Sequence, residues 1–202
     1  MSHAPLRRLG APFLAAVMIA ATLAACSGPA QEPSSDAATS TRSDPTRSPS
    51  PSASAVTGVE KPERPAAMKK KDAEGAAAAA EYFLSLYDYT KRSGDTREWD
   101  GMSHRSCQFC ETVHARALEI QQRGLVLEGG GLTADVTRKY DRDAATAIFP
   151  LDVQVTQDKA TATYANGQVE SSSEPQRAEM RVEMGLRHGD WTVVSVVPKP
   201  ES

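Results

Sequence analysis

Three cysteines carry the sharpest chemistry in this 202-residue chain. Cys107 and Cys110 form a Cys-x-x-Cys pair with His104 and His114 on either side. The preferred reading is an intrahelical disulfide, because Cα atoms at this spacing lie roughly 5 to 6 Å apart, inside the range a bridge tolerates. A redox reading treats Cys107 as a nucleophile whose pKa is lowered by a helix N-terminus. That motif, however, normally follows the first strand of a βαβ unit, and here two helices precede it. A zinc reading uses His104, Cys107, Cys110 and His114. Four ligands on little more than two turns rarely surround an ion tetrahedrally, and oxidation would remove both thiolates, so no metal is expected. Covalent haem would need His directly after the second cysteine, where Glu111 stands.

Cys26 is of another kind. It ends the run Leu23-Ala24-Ala25-Cys26, directly after an apolar stretch. The run looks like a lipobox, in which the leader is cut before the cysteine and the thiol is capped by diacylglycerol. Arg7 and Arg8 supply the positive start, and Leu9 to Leu23 the apolar middle, too short for a comfortable membrane span. Residues 1–25 are thus expected to be a lipoprotein signal peptide. The mature chain would begin at Cys26 on the outer face of a bacterial cell membrane. Two acyl chains on diacylglyceryl Cys26 hold a protein firmly where one would not. Lipidation of Cys26 leaves an even number of cysteines for an oxidising compartment.

Residues 26–66 are rich in Ser, Thr, Pro and Ala and hold no aromatic residue. Such a segment buries too little apolar surface to offset its ordering entropy, so a disordered linker is expected. About forty residues reach roughly 35 Å. Residues 67–202 are one domain by length. The formal charge of −3 becomes −5 once Arg7 and Arg8 leave with the signal. That acidity argues against nucleic acid as a partner.

The elements that must position these groups are legible as two blocks. Ala76 to Ala80 are strong helix formers, and Ala79, Phe83, Leu86, Tyr87 and Thr90 recur every three or four residues. This predicts a helix from Asp72 to about Arg92, stopped at Gly94. Asp95-Thr96-Arg97-Glu98 resembles a capping box that starts a short helix carrying Trp99 and Met102. A third helix is expected from about Ser106 to Arg123, with Phe109, Val113, Ala117 and Ile120 as its buried stripe. Beyond Gly124 the period becomes two. Strands are expected at 125–127, 132–140, 147–155 across Pro150, 161–164, 178–186 and 191–197, with turns at Asn166-Gly167 and His188-Gly189. Helices first and antiparallel strands after imply an α+β domain, with three N-terminal helices packed on a curved antiparallel sheet.

These residues carry a resemblance. The three helices and the meander ending in Gly189-Asp190-Trp191-Thr192-Val193-Val194 look like the nuclear-transport-factor-2-like cone, shared with cystatin-like domains. Tyr82-Phe83-Leu84, Ser93-Gly94-Asp95-Thr96 and Ser106-Cys107-Gln108-Phe109-Cys110 resemble secreted actinobacterial lipoproteins classed under a domain of unknown function, family 6318. The resemblance implies a cavity between the helices and the concave sheet face. Relatives of the fold use it for isomerase, cyclase or dehydratase chemistry, or for binding alone, and fold does not select among these.

The expected pocket lining is Tyr82, Tyr87, Val136, Phe149, Leu151, Val153, Met180, Val182, Met184 and Trp191. It is nearly all apolar, and Asp135 and Asp152 alternate outward. No Gly-rich phosphate loop, Ser nucleophile elbow or paired carboxylates at helical spacing appear in the sequence, so no catalytic residue is assigned and no cofactor is expected. The preferred function is non-catalytic binding of a small apolar ligand, a cell-wall component or a partner protein. A cone-fold enzyme and a thiol-disulfide protein are the alternatives.

Overall fold

The structure, a computed structural model, describes residues 59–201, all within one unit, Pro49–Ser202. The expected export signal, Cys26 and most of the expected linker lie outside the described residues. No helix among the described residues is long and apolar enough to cross a membrane.

A 3-10 turn, Ala66–Lys69, leads into α1, Ala73–Ser93. Asp72 caps α1 by accepting from the N–H of Gly75 at 3.0 Å. Gly94 ends it in the left-handed conformation, φ 70°. The short α2, Arg97–Met102, buries Trp99 and Met102. The expected capping box does not form. Asp95 accepts from the N–H of Arg97 at 3.2 Å, but Glu98 leaves the helix start to bond Arg64 and Tyr82. Tertiary partners outcompete the local cap. The third helix, α3, covers Gln108–Gln122 with Cys107 at its N-cap. Cys110, Val113, Ala117 and Ile120 are buried in it, while Phe109 is only partly so.

Seven strands follow: β1 Val126–Gly129, β2 Leu132–Lys139, β3 Phe149–Gln157, β4 Ala160–Thr163, β5 Val169–Ser173, β6 Gln176–Arg187 and β7 Asp190–Pro198. Their hydrogen bonds make two antiparallel sheets, ordered β1-β4-β5 and β2-β3-β6-β7. The register runs through the break between them. Leu132 faces Gln157, and three residues further along each strand Gly129 faces Ala160. Likewise Gln157 faces Gln176, and Ala160 faces Ser173. The two sheets are therefore one meander of long strands, creased once at Gly129–Gly131, Asp158–Lys159 and Glu174–Pro175. The expected curvature is realised as this crease. At Gly129, φ 66°, a Cβ would stand 2.0 Å from the carbonyl oxygen of Lys159, so only glycine lets the strands close there.

Two local expectations are corrected. Ala147, read as part of a strand, sits in the preceding turn at φ 62°. Serine-rich β5 was not foreseen. Pro150 lies on an interior strand, yet its carbonyl accepts from Tyr140 just where the ladder to β2 gives out. Its missing N–H therefore leaves out only the reciprocal bond of this last pair, at the end of the ladder.

The helices pack against the four-stranded part. Phe83, Leu86, Trp99, Leu151, Val153, Val182, Met184 and Val193 are all 1% exposed or less. Phe83 stacks on Trp99 with ring centroids 4.0 Å apart. The Trp99 indole donates to the carbonyl of Cys110 at 2.9 Å.

Candidate functional site

At the creased end the core opens into a cup of about 210 Å³. The spacing of Leu84 and Tyr87 places both on the sheet-facing side of α1, and α3 contributes Phe109. Leu132, Val155, Met180 and Val196 come from four neighbouring strands. The cup sits at the crease: Leu132, Gln157 and Gln176 are the terminal residues of β2, β3 and β6 next to it.

The rim is polar. Tyr87 and Phe109 stack, centroids 6.3 Å apart and planes 11° from parallel. The Tyr87 hydroxyl accepts from Lys91 at 3.1 Å and from Gln157 at 3.3 Å. Its own proton makes no bond among the described residues, so it remains available as a donor. No carboxylate or imidazole lines the cup. The arrangement can seat one apolar group and offer it a single hydroxyl. Its volume lies below the roughly 300 Å³ at which drug-sized ligand pockets begin.

Of the residues expected to line a pocket, Tyr87 and Met180 line the cup, and Trp191 borders a separate recess beside Met68 and Lys71. Phe149, Leu151, Val153, Val182, Met184 and Trp191 form the closed core instead, each 4% exposed or less. Val136 packs against that core. Tyr82 is buried on the other side of α1, where its phenol donates to Glu98. Burial and the Glu98 carboxylate push the Tyr82 phenol well above the ordinary tyrosine range. Burial alone would raise Glu98, but Lys61, Tyr82 and Arg64 together pull it down to about 2. Alternation identified the inward face correctly but could not show where that face is covered. Leu84, Phe109, Leu132 and Val155 fit the apolar patterning; Gln157 and Gln176 gave no signal.

Asp152 does not stand out in solvent as its outward alternation suggested. It is 2% exposed on the outer sheet face. It accepts from Arg181 at 2.7 Å and Tyr140 at 2.9 Å. Burial opposes its charge, yet these partners hold its carboxyl below the usual range.

Cys107 and Cys110 are bridged, Cα atoms 5.2 Å apart, and each is 2% exposed. His104 Nδ1 lies 2.7 Å from Ser106 Oγ, and His114 Nδ1 lies 2.8 Å from Asp100. The four residues of the zinc reading line one recess, but the bridge takes up both sulfurs. Among the described residues no group of three or more His, Cys, Asp or Glu is placed to hold a metal.

Residues 48–197 match the Family of unknown function (DUF6318). The chain belongs to this family. No curated protein matches the chain. Among solved structures, the intermembrane space region of chloroplast protein ARC6 is 17% identical, with 61% of this chain and 97% of that one covered at a TM-score of 0.46. An uncharacterized protein with a cystatin-like fold from Caulobacter vibrioides is 11% identical, with 62% and 90% covered at 0.35. A nuclear transport factor 2-like superfamily protein from Salmonella enterica serovar Typhimurium is 11% identical, with 63% and 94% covered at 0.33. Similarity at this level does not extend to activity or partners.

Proposed function

We propose that this member of the DUF6318 family is a lipid-anchored envelope protein. Diacylglyceryl Cys26 holds it on the outer face of the bacterial cell membrane, and the 26–66 segment spaces a cone-shaped domain from the surface. The domain binds without catalysis, taking one small apolar group, a ligand fragment or a partner's side chain, into the cup. The observation that carries the binding reading is the cup itself: an open apolar recess rimmed by the half-buried rings of Tyr87 and Phe109.

An enzyme of this shape needs a base aimed at the bound group. The cup's sole ionisable side chain is Tyr87, and its hydroxyl already accepts two bonds. Thiol exchange needs a partly exposed cysteine with a depressed pKa. Both sulfurs here belong to buried residues.

Benzene serves as a neutral probe of about the right size. Titrated into the labelled protein, it should shift the resonances of Leu84, Met180 and Val196. Ala178→Phe, which projects a ring into the cup, should abolish those shifts. Shifts that persist in this variant, or none in the parent protein, would remove the cup from the account.

A further inference from the structure

A second recess, of about 360 Å³, lies on the outer face of the sheet at the end of the β6–β7 hairpin. Val193 points fully into the core, so its neighbours Thr192 and Val194 face outward. They floor the recess together with Gly185, which stands opposite Thr192 in the ladder. A Cβ on Gly185 would press on Val194 at 3.2 Å, so the glycine keeps the floor low. One wall is the β2–β3 connection, Arg142 and Thr146 to Ile148. The other is His104, held against β7 by its N–H donating to Val193 at 2.9 Å.

Three features of this recess suit it to a ligand. Thr192 is 4% exposed, yet its hydroxyl makes no hydrogen bond among the described residues. Thr90 is sealed in the interior; the Thr192 hydroxyl, by contrast, belongs to a residue that lines an open recess. Arg142 and Arg187 both line the recess, and neither pairs with a carboxylate among the described residues. Asp190 stands opposite Arg187 in the ladder without bridging to it. Ala147 holds the left-handed conformation, φ 62°, which a side chain adopts only at a cost. In that conformation its carbonyl accepts from Arg142 Nε at 3.2 Å and fixes the guanidinium on the wall.

We propose that this recess binds a small amphiphilic anion. Its oxyanion head, carboxylate or phosphate, sits among Arg142, Arg187 and His104 and accepts from the Thr192 hydroxyl. Its apolar portion lies along Ile148 and Val194. Guanidinium groups present paired donors that fit an oxyanion, and the volume falls in the range of small-molecule sites. The recess is separate from the cup, so either proposal can fail alone.

The test titrates octyl phosphate and octanoate, below their micelle concentrations, into the mature chain, residues 26–202, labelled with ¹⁵N. Saturable shifts are expected at Gly185, Leu186 and Thr192. Arg187→Gln should weaken binding at least tenfold, and shape-preserving Thr192→Val severalfold. Arg177→Gln, an exposed arginine at the far end of the same strand, should change nothing. Phosphatidylcholine vesicles with and without phosphatidylglycerol separate the two sources of such an anion. Arg187-dependent binding to the anionic vesicles supports a membrane headgroup, whereas shifts with the dissolved probes alone support a free molecule. No saturable shift with any probe overturns the proposal. So do shifts that survive Arg187→Gln or that map to Leu84 and Met180.

Discussion

The indole N–H of Trp191 donates to the main-chain carbonyl of Met68 at 2.8 Å, joining positions 123 residues apart. Trp191 opens the last strand and Met68 lies in the turn before the first helix. Their bond clasps the two ends of the folded region, and Phe149 packs edge-on against the same indole at 5.5 Å.

Trp191→Phe keeps most of the ring and deletes the donor. A buried carbonyl left without its partner costs about 1 to 3 kcal/mol. Urea unfolding should show a loss in that range. An unchanged midpoint would mean that the clasp contributes nothing.

Glu98 makes a second clasp, between α2 and the residues leading into the domain. It holds Arg64 at 2.6 Å, pairs with Lys61 and accepts from Tyr82. Lys61 and Arg64 fall in the segment that composition assigns to the linker. A carboxyl depressed from its ordinary 4.5 to about 2 adds stability that is fully present above pH about 4.5. That stability is lost as the pH falls through this window toward about 2. Glu98→Gln should therefore lower stability at pH 7 and flatten its decline between these values. An acid limb of unchanged steepness in the variant would contradict the assignment.

The crease gives a backbone prediction. Gly129→Ala combines a left-handed φ with a clash on Lys159 and should destabilise by about 2 kcal/mol or more. Arg92 donates to Leu127 at 2.6 Å and so holds α1 against this corner. Amide exchange should therefore rise locally in β1 and β4 of the variant. Wild-type exchange there would mean that the corner does not depend on glycine.

The first helix was plain in the sequence because propensity, an apolar stripe and a glycine stop all agreed between Asp72 and Gly94. The second half was legible strand by strand but not as a surface. Val169 to Ser173 has no apolar alternation; it becomes β5 because the register from Gln157–Gln176 carries across the crease to Ala160–Ser173. Glu98 looked like a cap and Asp152 like a solvated side chain. Both are claimed by arginine and tyrosine partners far along the chain. The cup was misplaced for the same reason: Leu151 and Leu132 share an alternation, and only the crease decides which of them is covered.

Thr90 is 1% exposed and its hydroxyl has no hydrogen-bond partner. Thr90→Val replaces that hydroxyl by a methyl of nearly the same shape. It should stabilise the protein by about 1 kcal/mol, read as a higher urea midpoint. A lower midpoint would show that the hydroxyl finds a partner after all.

The proposed place of work depends on the thiol of Cys26, and intact mass spectrometry of protein extracted by detergent from native cells tests it most directly. The account predicts a chain starting at Cys26 whose mass exceeds that of its polypeptide by a diacylglyceryl group. A free Cys26 thiol, a different first residue, or recovery of the protein from the aqueous medium would contradict it.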